Sequence, residues 1–304
     1  MSHVPVSPLN ASGLTDLAQR RWTAIQESRP DLEPALALQR RLLGLVIELS
    51  TSISAGKLPR LSLPPKYVAV KLARGVPALT AEPIPVPAQA LIPALLGLCK
   101  ALGAGGAGDA AAHIHDAIAS GQLDPASLLT ASLTRDQEAI RTGAIHRGLA
   151  PDLVWLVAEL AVSPFAHALQ RVLFANNELS EALSRWNQGY CPACGSWPAL
   201  AEVVDAHRTL RCSFCATAWE LNAYGCVYCG EGGERFVTAA PNEERKDRRV
   251  ELCNACGGYL KTVDALELSP FPLLAVADLE TMDLDVAAME HGYARPMLKD
   301  FRRR

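Results

Sequence analysis

Eight of the nine cysteines in this chain fall between Cys191 and Cys256, and they fall as four CxxC pairs. The pairs are Cys191/Cys194 in CPACG, Cys212/Cys215 in CSFCA, Cys226/Cys229 in CVYCG and Cys253/Cys256 in CNACGG. Two intervening residues let a tight turn aim both sulfurs at one ion, and a second such turn completes a tetrahedron of thiolates. Neighbouring pairs give CxxC-x17-CxxC for Cys191 to Cys215 and CxxC-x23-CxxC for Cys226 to Cys256. The first spacing is that of a four-cysteine zinc site, and the second needs a larger hairpin. The expectation is therefore two metal ions, ligated by Cys191, Cys194, Cys212 and Cys215 and by Cys226, Cys229, Cys253 and Cys256. Glycine follows three of the pairs, at Gly195, Gly230 and Gly257, and Ala216 follows the fourth. A positive φ there brings backbone N–H groups towards the sulfurs.

Competing chemistries for these cysteines fit less well. The first residues, MSHVPVSPLN, show no basic segment leading into an apolar stretch of secretory type, which points to the cytoplasm. In that reducing compartment clustered cysteines serve metals or redox chemistry rather than disulfides. A thioredoxin-like CxxC is normally single and opens a helix in a βαβ setting. Four thiolates suit zinc or a single rubredoxin-like iron, and ligand identity alone leaves both open.

The elements that position the cysteines divide the chain of 304 residues. Residues 1–187 read as an all-α domain, with apolar residues at helical spacing over Leu14–Glu27, Pro34–Ile53, Ala88–Leu102, Asp109–Ser120 and Pro151–Asn176. Thr15 with Asp16, and Asp109, are the expected N-caps, and Pro34 and Pro151 suit first-turn positions. The proline-rich stretch 58–87 reads as a long extended linker. The apolar runs Leu42–Leu49 and Leu153–Phe174 carry charges and a proline, so they read as buried core helices rather than membrane spans.

From Asn187 onward the pattern changes to short β-like runs, at Glu202–Val204, Thr209–Arg211, Arg235–Thr238 and Arg249–Leu252. Eleven of the seventeen aromatic residues lie there, as a second core would require. The predicted architecture is multi-domain α+β. The helical domain is followed by two small β-hairpin modules of rubredoxin-like or zinc-ribbon-like type, at 188–222 and 223–304, the latter with a helical tail over Phe271–Glu290.

Other candidates weigh little. GAGGAG at 103–108 follows a helix and lacks the Lys-Ser/Thr ending of a phosphate loop, so it reads as a flexible helix connector. His113 and His115 are two apart and cannot share a helix face. Arg245, Lys246, Arg248 and Arg249 could dock an acidic partner or nucleic acid, but acids interleave with them and favour a solvated hairpin tip. Residues 188–304 carry 13 Lys/Arg against 17 Asp/Glu, a net of −4, which disfavours nucleic-acid binding. Asp278, Glu280, Asp283 and Asp285 lack any accompanying nucleophile or catalytic histidine and read as a solvated helix face, so no catalytic residue is expected. Cys99 reads as a small core residue.

The strings CPACGSWP (191–198), CSFCATAW (212–219), CVYCGE (226–231) and RVELCNACGGYLKTVD (249–264), behind a cysteine-poor helical half, resemble the formate dehydrogenase accessory protein FdhE family. The resemblance implies a cytoplasmic, non-enzymatic maturation factor. Such a factor binds the catalytic subunit of respiratory formate dehydrogenase before its export and holds iron in two rubredoxin-type sites, with zinc as the alternative. A rubredoxin-like electron-transfer protein and a zinc-ribbon nucleic-acid binder are the competing functions.

Overall fold

In the computed structural model, which describes residues 3–7, 9–56, 63–240 and 246–296, the chain forms two compact units that are discontinuous in sequence. One comprises residues 9–62 and 81–173, and the other residues 1–8, 63–80 and 174–304.

The first unit is all helix. It contains α1 (Ala11–Ser28), α2 (Glu33–Ala55), α4 (Ala88–Leu102), α5 (Gly108–Ala119), α6 (Pro125–Leu133), α7 (Gln137–His146) and α8 (Pro151–Phe174), whereas α3 (Pro65–Ala73) belongs to the other unit. The helical spacing explains the packing. On α1, Leu14, Ala18, Trp22 and Ile25 recur on one face, and all four are buried. The two most apolar runs are core helices: Leu42, Leu43, Val46 and Leu49 of α2 are buried, as are Val157, Ala158, Ala161, Val162 and Phe165 of α8. Two helical stretches, Ala88–Ala119 and Pro151–Phe174, are long and apolar enough to cross a membrane by length and composition. Cys99 is 1% exposed and packs in this core.

The caps differ from expectation. Asn10, not Thr15 or Asp16, caps α1, accepting from the Gly13 N–H at 2.8 Å, while Thr15 lies inside the helix and donates to the Ala11 carbonyl. Asp109 sits in the first turn of α5, which starts one residue earlier. Gly103–Ala107 is wound as a π-helical segment rather than a loose connector, broken at Gly106 (φ 108°). His113 is exposed and His115 half-buried.

The second unit is built on a seven-stranded sheet. Its strands are β1 (His3–Val4), β2 (Pro198–Val204), β3 (His207–Cys212), β4 (Ala218–Trp219), β5 (Phe236–Ala239), β6 (Arg248–Cys253) and β7 (Tyr259–Asp264), in the order β1-β4-β3-β2-β7-β6-β5. Strands β2, β3 and β4 form one antiparallel ribbon and β5, β6 and β7 another. The sequence reading treated them as tandem modules, but β2 and β7 pair in parallel, from Leu200 with Lys261 to Val203 with Asp264, so the ribbons share one sheet. Among the described residues four α-helices complete the unit: α3, α9 (Ser180–Ser184), α10 (Leu274–Glu280) and α11 (Met282–Glu290). The helical tail is therefore present, with Leu274 and Ala277 of α10 packed on Leu200, and Ala288 of α11 packed on Val250 and Tyr259.

The expected extended linker at 58–87 is corrected by α3. Pro65 opens this helix, where a missing N–H does no harm, and Val68 and Leu72 bury its inner face. Residues 58–62 of that stretch lie outside the described residues, as does Arg245 of the basic cluster.

Candidate metal centres

Each CxxC pair occupies an equivalent place in its ribbon. Cys191/Cys194 and Cys226/Cys229 sit in the loops before the first strand of each ribbon. Cys212 and Cys253 end the middle strands, and Cys215 and Cys256 lie in the turns that follow. Four turns repeat one hydrogen-bond pattern. The first cysteine donates its N–H to the carbonyl five residues on, from Cys191 to Ser196, Cys212 to Thr217, Cys226 to Glu231 and Cys253 to Gly258, at 2.8–2.9 Å. In three of them the glycine after the pair donates back to the first cysteine's carbonyl. That closure requires positive φ: 81° at Gly195, 81° at Gly230, 70° at Gly257, and 55° at Ala216, where a side chain tolerates the same turn.

The turns bring the eight sulfurs together in two groups of four, as the spacing predicted, each within 4.8 Å. In the first group the sulfurs of Cys191 and Cys215 are 3.6 Å apart, Cys194 and Cys212 3.5 Å, and Cys212 and Cys215 3.6 Å. In the second, Cys226 and Cys256 are 3.7 Å apart and Cys229 and Cys253 3.6 Å. A disulfide needs a separation of about 2.05 Å. A tetrahedron with metal–sulfur bonds of about 2.3 Å has edges near 3.8 Å, so both groups could hold a metal ion.

The surroundings fit anionic sulfurs that share a cation. Backbone N–H groups point at them: Ala193 at Cys191, and Phe214 and Cys215 at Cys212, each at 3.4 Å. The Ser196 hydroxyl lies 3.4 Å from the Cys194 sulfur and the Thr217 hydroxyl 3.0 Å from that of Cys215. Burial pushes the Cys212 and Cys215 thiols well above the ordinary thiol range, with the neighbouring sulfurs adding to it. At Cys253 burial also acts upward, but the N–H groups of Cys256 and Ala255 outweigh it and the thiol is lowered. A metal cation supplies the positive charge that buried thiolates otherwise lack.

Residues far from the cysteines in sequence enclose the first group, and sequence reasoning missed them. The N–H groups of Ala78 and Leu79 donate at 2.8 Å to the carbonyls of Pro192 and Ala193 inside the first turn. The Tyr190 hydroxyl donates to the Gly75 carbonyl at 2.7 Å. An edge-to-face series from Trp186 through Tyr190 and Trp197 to Tyr228 links the first turn to the third. These two turns also meet backbone to backbone: a Cβ on Gly189 would overlap the Val227 carbonyl. Gly189→Ala is therefore expected to destabilise the unit by about 2 kcal/mol through forced separation of the turns, measured as a lowered melting temperature.

The acidic tail helices are not a solvated face, and here the sequence reading is corrected. The Lys261 ammonium is fully buried and pairs with Asp278 at 2.7 Å and Asp285 at 2.6 Å. Arg295 joins both acids, and Arg248 pairs with Asp283 at 2.9 Å. Buried cations need such partners, and only the folded sheet brings Lys261 beneath α10 and α11. Arg249 is taken up by Asp264 at 2.8 Å, so the basic cluster is partly consumed by internal pairs.

No family model matches the chain. Among curated relatives it is 33% identical over 119 residues to the FdhE homolog of Aquifex aeolicus, covering 36% of this chain and 41% of that one. It is 33% identical over 124 residues to the FdhE homolog of Stutzerimonas stutzeri and 30% over 115 residues to that of Shewanella baltica. The resemblance to the FdhE family holds. The crystal structure of the FdhE protein from Pseudomonas aeruginosa matches with a TM-score of 0.61 at 22% identity, over 98% of this chain and 97% of that one, so the fold is shared almost end to end. The aligned segments span about two fifths of the length of the curated FdhE relatives, namely 41%, 40% and 38%.

Proposed function

We propose that this chain is a cytoplasmic, non-enzymatic maturation factor for respiratory formate dehydrogenase, which binds the catalytic subunit before export. The observation that carries the reading is the pair of four-sulfur clusters built into one sheet, in a chain similar to FdhE homologs and sharing the fold of an FdhE protein. In this reading all eight cysteines are metal ligands and the ions reinforce the small apolar clusters that back each short ribbon, so metal binding becomes folding energy. The ribbons at 188–222 and 223–304 then act as metal-dependent modules, and the preferred ion is iron in a rubredoxin-type site, with zinc as the alternative.

The nucleic-acid reading is weakened by Arg248 and Arg249, whose guanidinium groups are engaged by Asp283 and Asp264 rather than presented to a phosphate backbone. The test is capture of the tagged full chain from cytoplasm grown under formate respiration, with metal analysis of the same sample. The expected result is recovery of the catalytic subunit and two metal equivalents per chain. Absence of that subunit, with both metals present, would remove the maturation role and leave the metal sites standing.

A further inference from the structure

The two centres share their ligands and their turn geometry but differ in burial. In the first, all four cysteines are buried, from 0% for Cys191 to 4% for Cys194. In the second, Cys226 and Cys253 are buried but Cys229 and Cys256 are exposed, so one edge of the tetrahedron faces solvent. The residues around that edge, Gly230, Asn254, Ala255 and Gly257, are exposed as well. The tail reaches this turn, through the Ala294 N–H on the Gly257 carbonyl at 2.9 Å and the Tyr293 hydroxyl on Asn254, yet it leaves Cys229 and Cys256 exposed.

The position two residues after each pair tells the same story. It is Ser196 and Thr217 in the first centre, and both hydroxyls lie on sulfurs. In the second it is Glu231 and Gly258. Gly258 has no side chain, and the Glu231 carboxylate is turned to the Gly233 N–H and to Arg235. A hydroxyl packed against a ligand sulfur helps to hold it in place, and loss of such support costs about 10- to 100-fold in metal affinity. Neither position therefore packs a hydroxyl against a sulfur of the second centre.

We infer that the centre formed by Cys226, Cys229, Cys253 and Cys256 is an exchangeable site for thiophilic divalent cations, entered through the Cys229–Cys256 edge, whereas the centre formed by Cys191, Cys194, Cys212 and Cys215 keeps its ion permanently. The inference rests on the reading of both clusters as metal centres. Ligand exchange at a thiolate site begins when an incoming donor reaches the metal or a departing sulfur. That approach exists at Cys229 and Cys256, and the four buried sulfurs of the first centre offer none. No electrons move: one cation leaves as another enters, and the thiolates stay thiolates.

The experiment uses the full chain loaded anaerobically with zinc to two equivalents, then challenged with excess chromogenic chelator and, separately, with cadmium. One equivalent is expected to leave at least about tenfold faster than the other. Iodoacetamide added during the fast phase, with the labelled peptides mapped by mass, is expected to mark cysteines of the second centre and spare those of the first. The double variant Ser196→Ala/Thr217→Val should accelerate only the slow equivalent. Two equivalents that leave at one rate, or early label on Cys191 to Cys215, would overturn the inequivalence while the metal reading survives. A chain that takes up no zinc, cadmium or iron overturns both.

Discussion

Cys212→Ser is expected to release one of two metal equivalents and unfold the first ribbon, the larger effect of any single substitution here. Cys212 ends β3, is wholly buried, and receives the N–H groups of Phe214 and Cys215 on its sulfur. A serine oxygen is a poor ligand for a thiophilic ion and reaches less far. Structural zinc binds isolated zinc-finger peptides with about 10–16 kcal/mol of folding free energy, comparable to a whole domain's net stability of about 5–15 kcal/mol. The damage should spread, because β2 of the first ribbon pairs with β7 of the second. Cys256→Ser should also lower the metal content to one equivalent, yet its ligand lies on the exposed edge and the first ribbon keeps its ion. The measurements are metal per chain and melting temperature on the same preparations. If Cys212→Ser retained two equivalents and its parent's melting temperature, these sulfurs would not be structural ligands.

The two four-cysteine groups were legible in the sequence because a CxxC turn is a local object. Its geometry depends on five or six consecutive residues, and the pairing of turns follows from loop length. The same holds for α1, α2 and α8, whose apolar spacing survives in the packing, and for the short β-like runs at Thr209–Arg211 and Arg249–Leu252, which lie in β3 and β6. What escaped was non-local. Nothing in PKYVAVKLA announces that α3 belongs with the cysteine unit, or that Ala78 and Leu79 close over the first turn. The proline before and the proline at its start look like breakers until Pro65 is seen as the first helical residue. Asp278 and Asp285 looked solvated for the same reason, since their partner Lys261 is a strand residue whose depth depends on the entire sheet.

The parallel pairing of β2 with β7 also alters what the duplicated cysteine pattern means. Two ribbons of similar order could have been independent beads on a chain. Their shared sheet and the contact of Gly189 with Val227 couple them, so the buried first cluster braces the exposed second one. An open metal edge is costly to hold in place unless its flanks are fixed, and here Tyr228 donates to the Tyr259 carbonyl at 2.9 Å while Ala294 donates to Gly257 at 2.9 Å. The exposed centre therefore has rigid backbone around labile access.

That scaffold depends on a buried ion pair, and its loss is the second large effect expected. Arg211 immediately precedes Cys212, is fully buried, and pairs with Glu202 on the adjacent strand, itself 1% exposed. Further hydrogen bonds surround the pair: Arg211 donates to the Ser269 carbonyl at 2.6 Å and towards that of Ala216, and Glu202 accepts from the Ser269 N–H at 3.1 Å, while the Arg211 Nε is buried without a partner. Burial pulls the Arg211 guanidinium below its ordinary range, and Glu202 opposes that pull. Arg211→Met leaves the Glu202 carboxylate buried and uncompensated, which should cost about 3–5 kcal/mol, and Glu202→Leu should cost a similar amount from the other side. The double variant should recover most of that loss, because two apolar side chains of comparable volume strand no charge. Since Arg211 also holds the Ala216 carbonyl within the turn of Cys212 and Cys215, Arg211→Met should also release the first centre's ion to a chelator before the second's, reversing the normal order. Denaturant melts of the two singles and the double, with zinc release followed in each, test both statements. Additive losses in the double variant would show that the pair contributes through each side chain's own packing rather than through their mutual charge.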